Sequence, residues 1–458
     1  MASPVQEGQT VSLRVDSLAY GGEGVGRVER FPVFVPYTAP GDLAEVRLTR
    51  VHKRFARGEV VRLLEPGPGR VEPFCPRYGT CGGCQWQHLA YEVQVQAKTQ
   101  LVRDALTRIG GLSSVPVRDT ISAPEHHSYR NKVEVALAPA PAGWHLGYHR
   151  RGSPEVVDVE TCPLLKPRLN ELLSAVRETL REFAYPPYDV RTSAGLVREF
   201  SLRCNQAEEE ATLLFITGRR EVPHKRPFFT ALRERCPFLV GFAHHARTRA
   251  SQKPQGRPVG ALEGRPLREQ FGEVTLEISP ASFFQVNVPQ LENLWRTLRL
   301  CLLLGEGDTI VDAYAGVGTF ALRLAPEVEQ VIAVEVYRPA AQDARHNARR
   351  NGCENVTVER GAAEEILPRL AAEGLRAAVV LLDPPRSGCQ ERVLRASVSL
   401  GPHTLVYLSC DPTTLARDLR RLAALDYLPA LIQPFDFFPQ TYHVETLVVL
   451  KPARLTQD

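Results

Sequence analysis

Four apolar runs in the last third of the chain each end near a polar residue, and helix-like stretches separate them. The runs are Ile310–Asp312, Val331–Glu335, Ala378–Asp383 and Leu405–Ser409. Apolar strands that alternate with helices are typical of a parallel sheet with helices on both faces. Because ligands bind at the carboxyl ends of such strands, the sequence predicts a ligand site where these polar residues meet.

The first 66 residues indicate a different architecture. Thr10–Val15 alternates apolar and polar residues, and Phe34–Pro36, Ala44–Thr49 and Gly58–Leu64 are also strand-like, with a glycine-rich turn predicted at Gly21–Gly26. Several short strands in so small a segment are typical of an OB-like β-barrel. The open face of such a barrel commonly binds oligonucleotides.

Residues 67–275 have a mixed pattern that predicts a central α+β domain. Lys132–Leu137 and Ala211–Ile216 have the character of strands, whereas Leu164–Phe183 has helical periodicity. Another helix is predicted over 89–112, and we expect it to pack on the C-terminal domain, residues 276–458. The chain therefore divides into three predicted domains.

Charge is a weak guide to the partner of this chain. There are 56 Lys and Arg against 52 Asp and Glu, a net charge of +4, which neither requires nor excludes nucleic acid. A basic stretch in the barrel region is either a solvated strand face or an RNA-binding edge, and residues 241–260 are predicted to form an exposed basic loop. The residues concerned are Arg47, Arg50, Lys53, Arg54, Arg57 and Arg62 in the barrel, and Arg247, Arg249, Lys253 and Arg257 in the loop.

We expect the thiols of this chain to be reduced. The first residues resemble no signal peptide, and no apolar run reaches the about 18–20 residues of a membrane span, so we expect a cytoplasmic protein with reduced thiols.

The cysteines point to a metal centre. Cys75, Cys81 and Cys84 stand in a C-x5-C-x2-C pattern among glycines that let the chain wrap tightly, and Cys162 is the candidate fourth ligand. Four thiolates suit either zinc or a [4Fe-4S] cluster, and the irregular spacing favours the cluster.

The segment Ile310–Phe320 reads as a strand, a glycine loop and a helix. Its glycines let a ligand approach the backbone at a helix N-terminus, but the third glycine of the dinucleotide fingerprint is missing. Glu335, at the end of the next strand, suits hydrogen bonds to ribose hydroxyls. Together with Asp383-Pro-Pro385, these features predict a nucleoside-like cofactor and look like motifs of S-adenosyl-L-methionine-dependent methyltransferases.

Cys410 and Glu445 add groups that could react. Cys410 follows a predicted strand and opens a predicted helix, where a thiolate is stabilised. Glu445 begins an apolar run that could tune it as a base. Taken singly, each residue could instead be structural, as a buried thiol or a solvated strand-end acid. Together they suit the methylation of uracil: a thiolate adds to carbon 6, carbon 5 takes the methyl group, and a base removes the carbon-5 proton.

These motifs resemble those of the RNA 5-methyluridine methyltransferase family. The resemblance rests on Cys75/Cys81/Cys84, Phe283–Asn287, Asp312–Thr319, Asp383–Arg386, Ser409–Pro412 and His443–Glu445. Residues 10–65 resemble its TRAM domain. The resemblance implies a multidomain α+β protein with a TRAM barrel at residues 1–66, a central domain that holds an iron–sulfur cluster, and a Rossmann-like α/β methyltransferase domain.

The resemblance also implies roles for single residues. Cys410 would be the nucleophile and Glu445 the base, and a [4Fe-4S] cluster would bind to Cys75, Cys81, Cys84 and Cys162. The site for S-adenosyl-L-methionine and uracil would be formed by Gln285, Tyr314, Gly316, Gly318, Thr319, Glu335 and Asp383. Tyr314 and Thr319 stand where Phe and Asn are commoner in the family. The candidates for stacking on a flipped base are Phe283, Phe284, Phe437 and Phe438.

The combination of TRAM domain and cluster favours the branch of the family that methylates a uridine in 23S rRNA, and we expect a monomer. A tRNA uracil-5-methyltransferase of the archaeal type shares both features and remains the alternative. Methylation of an amino group is disfavoured because Arg386, and no aromatic residue, follows the two prolines. A non-catalytic iron–sulfur RNA-binding protein would leave Cys410 and Glu445 without a role.

Overall fold

A closed five-stranded barrel opens the computed structural model, which describes residues 4–248 and 256–453. Its strands are β1 (Thr10–Leu18), β2 (Gly24–Val28), β3 (Phe31–Val35), β4 (Leu43–Val51) and β5 (Ala56–Glu65), in the spatial order β1-β2-β3-β5-β4. The predicted turn at Gly21–Gly26 is only partly a turn, because Gly24 and Gly26 lie in β2. The neighbouring strand explains these glycines, since a Cβ on Gly26 would lie 2.3 Å from the Arg14 carbonyl oxygen.

An eight-stranded sheet forms the central region. Its strands are β6 (Lys132–Ala140), β7 (Gly143–His149), β8 (Val156–Asp158), β9 (Val197–Cys204), β10 (Ala211–Thr217), β11 (Leu239–Ala246), β12 (Arg257–Pro258) and β13 (Glu263–Gly264). The order is β12-β11-β10-β9-β6-β7-β8, and β13 also pairs with β11. The helices α2 (Pro167–Phe183) and α3 (Lys225–Arg235) bury their apolar faces in the core that this sheet forms.

The prediction of an exposed loop over residues 241–260 is wrong for its first part. Residues up to Ala246 belong to β11, which is largely buried because it pairs in parallel with β10. Arg247 then forms an ion pair with Glu199, and Arg257 lies in β12. Arg249 and Lys253 lie outside the described residues.

The C-terminal region contains the predicted parallel sheet. Its strands are β16 (Thr309–Ala313), β17 (Gln330–Glu335), β18 (Val356–Arg360), β19 (Val379–Leu382), β20 (Thr404–Ser409), β21 (Tyr427–Phe435) and β22 (Glu445–Pro452). In the order β18-β17-β16-β19-β20-β22-β21, the first five strands are parallel and β22 is antiparallel to both of its neighbours. The helices are α4 (Val288–Cys301), α5 (Ala321–Leu324), α6 (Arg338–Arg350), α7 (Ala363–Ala372), α8 (Glu391–Ser399) and α9 (Pro412–Ala423).

Two further elements pack on this sheet. The hairpin of β14 (Leu267–Phe271) and β15 (Val274–Ile278) contributes to the same core, so the predicted boundary between residues 275 and 276 falls inside one packed strand. Helix α1 (Tyr91–Ala105) continues as a π-helical turn over Leu106–Gly110 and packs against α9. In the two described ranges, no helix has the length and apolar character that crossing a membrane requires.

Candidate active site

The polar ends of neighbouring strands open into one cavity of about 640 Å³ at the carboxyl edge of the C-terminal sheet. Seven predicted site residues line it: Gln285, Tyr314, Gly316, Glu335, Asp383, Cys410 and Glu445. Cys410 and Glu445 reach this edge from two antiparallel strands. Ser409 at the end of β20 pairs with Thr446 of β22. Cys410 follows Ser409 and Glu445 precedes Thr446, so both lie at the same edge of the sheet.

The glycine loop orients the carboxylate of Glu335. One carboxylate oxygen accepts a hydrogen bond from the Gly316 backbone N–H at 2.9 Å, and the other accepts from the Tyr337 backbone N–H at 2.6 Å. Gly316 has a φ of 59° and faces open space. Behind the loop, Asp312 accepts from the backbone N–H of Ala321 at 3.1 Å, which ties the strand end to the first turn of α5. These bonds hold the Glu335 carboxylate against the loop and tie the loop to α5.

Thr319 lies at a cavity, whereas Gly318 faces the protein interior. Thr319 lines a smaller adjoining cavity that shares the walls Gln285, Tyr314 and Asp383 with the main one. Gly318 faces the protein interior, where a Cβ would meet Leu322 at 3.2 Å. Its φ of 91° and this close contact explain the glycine as a packing requirement of the loop.

Burial raises the pKa values of three carboxyl groups near the cavity. The pKa of Asp383 rises to about 7, with the Glu335 carboxylate adding to the effect of burial. The pKa of Glu445 rises to about 8, with Asp383 adding and Arg386 opposing. Burial and Asp383 together raise the pKa of Asp312 to about 8. A bound cation would favour the ionised forms of all three groups.

The thiol of Cys410 lies just before α9, and its surroundings disfavour the thiolate in the free protein. Burial raises the pKa of Cys410 to about 12, and the carboxylates of Glu445 and Asp383 add to the shift. Arg386 lowers it and lines the same cavity. The thiolate therefore forms most readily when the neighbouring carboxylates are protonated or paired with a cation.

Two of the four predicted stacking residues border the cavity, and two do not. Phe283 has 62% of its surface exposed, and Phe438 packs edge-on against His443, with both rings lining the cavity. Phe284 is buried in the core but lines the smaller adjoining cavity, whereas the prediction was wrong for Phe437, which is buried in the core and lines neither cavity. His443 is an addition: burial and the nearby Arg386 lower its pKa to about 3, and its buried Nδ1 has no protein partner.

The loop between β21 and β22, which carries Phe438 and His443, is held by a helix that sequence reasoning did not connect to the site. Gln94 of α1 accepts from the Gln440 backbone N–H at 2.9 Å and donates to the Gln440 side chain at 3.0 Å. Tyr129 also donates its hydroxyl to the Pro439 carbonyl at 3.1 Å. The sequence signal that could have revealed this contact is the presence of polar residues, Gln94 and Lys98, on the face of the helix that is buried.

The four predicted metal ligands line one separate cavity of about 40 Å³ between the loop that follows the barrel and the segment before α2: Cys75, Cys81, Cys84 and Cys162. The backbone N–H of Gly83 donates to the Cys81 sulfur at 3.4 Å. Burial raises the pKa of Cys84 to about 12, against the effect of the adjacent Arg130 guanidinium. Within residues 4–248 and 256–453, no three His, Cys, Asp or Glu side chains are close enough to hold a single metal ion.

Comparison with known proteins identifies the family. The profile described as tRNA (Uracil-5-)-methyltransferase matches residues 280–453, and that of the TRAM domain matches residues 4–61. An uncharacterized RNA methyltransferase of Synechocystis sp. is 39% identical over 449 residues, which cover 97% of this chain and 96% of that protein. Another, of Thermosynechococcus vestitus, is 40% identical over 451 residues, covering 97% and 98%. The chain belongs to the RNA (uracil-5-)-methyltransferase family.

A solved structure matches this methyltransferase over nearly its whole length. The tRNA (uracil-54, C5)-methyltransferase of Pyrococcus abyssi, in complex with S-adenosyl-L-homocysteine, is 27% identical with a TM-score of 0.76. The match covers 96% of this chain and 99% of that one. The predicted family, enzyme class, TRAM domain and methyltransferase fold are thereby confirmed, and S-adenosyl-L-methionine is the methyl donor of the family.

The basic edge of the methyltransferase's barrel is partly neutralised by its own acids. Arg57 pairs with Glu23, and Arg62 lies 3.1 Å from Glu45. Arg47 lies 3.8 Å from Glu59, with both side chains largely exposed. The exposed pairs of Arg62 and Arg47 are weak, whereas the Glu23 partner of Arg57 is buried.

Proposed function

We propose that this methyltransferase transfers a methyl group from S-adenosyl-L-methionine to carbon 5 of a uridine in RNA through a covalent adduct on Cys410. The observation that carries the proposal is the convergence of Cys410, Glu445 and Asp383 from three strands on one cavity with the glycine loop. A nucleophile, a base and a cofactor loop within one cavity are what the reaction requires.

The cofactor fits the half of the cavity near β16 and β17. The two backbone N–H groups that hold the Glu335 carboxylate fix it in position to accept hydrogen bonds from ribose hydroxyls. S-adenosyl-L-methionine supplies an electrophilic methyl group on a sulfonium cation. The carboxylates of Asp383 and Glu335 complement that positive charge, and Gln285 and Tyr314 form the neighbouring walls.

Cys410 and Glu445 carry out successive steps of the proposed reaction. The Cys410 thiolate adds to carbon 6 of uracil, and the electrons of the 5,6 double bond become available at carbon 5, which bonds to the methyl group as the sulfonium carbon–sulfur bond breaks. Glu445, as carboxylate, removes the proton that remains on carbon 5. The double bond re-forms, and the Cys410 thiolate leaves. Phe438 and Phe283, which line the cavity, are the proposed residues for stacking on the uracil.

We further propose that the cysteine cavity holds a [4Fe-4S] cluster. A cluster distributes its thiolates over four iron atoms, so its ligands stand farther apart than those of one zinc ion. Four cysteines around one cavity supply the all-thiolate donor set of such a cluster. The buried Arg130 guanidinium beside Cys84 offsets part of the thiolate charge. When bound, the cluster would cross-link the loop after the barrel to the central domain.

The proposed substrate is 23S rRNA, because the TRAM domain and the four cysteines together resemble the rRNA branch of the family, although an archaeal-type tRNA enzyme shares both features. Transfer RNA is the second candidate, and the full-length similarity to the tRNA methyltransferase of Pyrococcus abyssi favours it. Mapping 5-methyluridine by mass spectrometry in both RNAs from cells that lack the gene separates the two. Loss of the modification from rRNA alone supports the first proposal, and loss from tRNA alone supports the second.

Two variants test the chemistry. Cys410→Ala should abolish methyl transfer and leave S-adenosyl-L-methionine binding within about twofold, since the thiol acts only in the reaction. Glu445→Gln should accumulate a covalent enzyme–RNA complex that survives denaturing electrophoresis. Cys301→Ala, at the end of α4, is the matched control and should keep full activity. Turnover by Cys410→Ala would refute the mechanism.

A further inference from the structure

The turn between β1 and β2 joins the barrel to both other regions of the chain. Its residue Tyr20 is half-buried and donates its hydroxyl to a carboxylate oxygen of Asp411 at 2.9 Å, 391 positions away in sequence. On the other side of the turn, Arg151 of the central region donates to the Gly21 carbonyl at 3.2 Å. The barrel is therefore fixed against the methyltransferase domain at the residue that follows Cys410.

Asp411 sets the shape of the chain around Cys410. One of its carboxylate oxygens accepts from the backbone N–H groups of Thr413 at 2.9 Å and Thr414 at 3.1 Å, which caps α9. Its backbone N–H and carbonyl are both bonded to the Ser409 hydroxyl, at 3.2 and 3.0 Å. The second carboxylate oxygen is the one that accepts from Tyr20. Ser409, Cys410 and Asp411 thus form one fixed turn, and Tyr20 holds its outer side.

Tyr20 also contacts the segment that leads to Glu445. Its ring packs edge-on against Tyr442, with 5.2 Å between the ring centroids. The Tyr442 ring in turn lies 4.3 Å from His443, which lines the cavity two residues before Glu445. One barrel side chain therefore touches both segments that carry the reacting groups.

We propose that Tyr20 is a positioning residue that fixes Cys410 through Asp411 and so makes the TRAM barrel part of the catalytic architecture. This inference rests on the proposed role of Cys410. The hydroxyl of Tyr20 holds the turn in one orientation through its hydrogen bond to Asp411.

The test uses the full-length enzyme with Tyr20→Phe, which removes only the hydroxyl. We expect kcat to fall about tenfold, as for the loss of one charge-assisted hydrogen bond, while KM for bulk RNA from cells lacking the gene changes less than about twofold. Alkylation of Cys410 by iodoacetamide at pH 8, followed by peptide mass spectrometry, should become faster by about twofold or more, because the loosened turn exposes the partly buried thiol. Tyr37→Phe, in the same barrel, is the matched control and should change neither quantity.

A double-mutant cycle separates this role from mere packing. Asp411→Asn keeps the oxygen that caps α9 but replaces the oxygen that accepts from Tyr20 with an amide N–H₂, so adding Tyr20→Phe to it should lower kcat no further. Independent, additive losses would overturn the proposal, as would wild-type kcat and alkylation in Tyr20→Phe, or an effect confined to KM. Alkylation does not depend on methyl transfer, so this arm remains informative if turnover by Cys410→Ala refutes the proposed mechanism.

Discussion

Lys98 of α1 and Asp436, at the start of the loop after β21, form an ion pair in which both side chains are fully buried. Lys98 also donates to the Phe438 carbonyl at 3.0 Å, and Asp436 accepts from the Phe438 backbone N–H at 3.0 Å. Burial lowers the pKa of Lys98, and the attraction of Asp436 opposes that effect. The pair therefore fixes the backbone of a proposed stacking residue from a helix outside the sheet.

Replacing one partner of this ion pair should lower the free energy of unfolding more than replacing both partners. Lys98→Met leaves Asp436 as an uncompensated buried charge and should destabilise the protein by about 3–5 kcal/mol. Lys98→Met combined with Asp436→Asn keeps an acceptor for Phe438 without the charge and should lose clearly less. Urea unfolding followed by circular dichroism compares the two, and equal losses would show that burial of the charge is not the dominant cost.

The affinity for S-adenosyl-L-methionine should depend on the charge of Glu335. Glu335→Gln directs an amide N–H₂ at one of the backbone donors, Gly316 or Tyr337, that now bind carboxylate oxygens. We expect Kd to rise about tenfold or more, because an acceptor for ribose is lost and the loop loses a charge-assisted bond. Isothermal titration calorimetry measures it, with Glu359→Gln on the neighbouring strand as control. An unchanged Kd would place the ribose elsewhere.

The sheet and its site could be predicted because burial on both faces leaves polar residues only at strand ends. That reasoning located Asp383, Glu335 and Cys410 on one edge. It failed where the chain is irregular: of the adjacent Phe283 and Phe284, one is 62% exposed and the other is buried, and composition cannot say which. Long-range polar pairs such as Tyr20 with Asp411 were equally inaccessible, because no local pattern couples residues so far apart.

The raised pKa of Glu445 should make the free enzyme less stable in alkali. The carboxyl keeps its proton up to about pH 8 in the folded chain, against an ordinary value of 4.5. Folding therefore retains a proton that the unfolded chain has lost, and stability falls as pH rises between these values. Glu445→Gln removes this penalty and should raise Tm by a few degrees at pH 8.5 but not at pH 4. Equal shifts at both pH values would contradict the pKa assignment.

The same ionisation should appear in catalysis. If Glu445 must be a carboxylate to remove the carbon-5 proton, kcat should rise with pH and level off above about pH 8. In Glu445→Asp, which keeps a base but withdraws it from the apolar strand, the rise should move to lower pH at reduced kcat. Single-turnover rates between pH 6 and 9 measure the profile. A profile that is the same in both enzymes would assign the titration to another group.

The cysteine cavity should determine the colour of the protein. Purified without oxygen, the protein should show the broad visible absorption of an iron–sulfur centre and contain close to four iron atoms per chain. Cys162→Ala should lose most of this absorption because it removes one of the four proposed ligands, the one that is distant in sequence from Cys75, Cys81 and Cys84. Cys236→Ala, in the core beneath α3, is the matched control and should keep it. Colourless protein with one zinc ion per chain would show that the four thiolates close around a single metal and would overturn the cluster proposal.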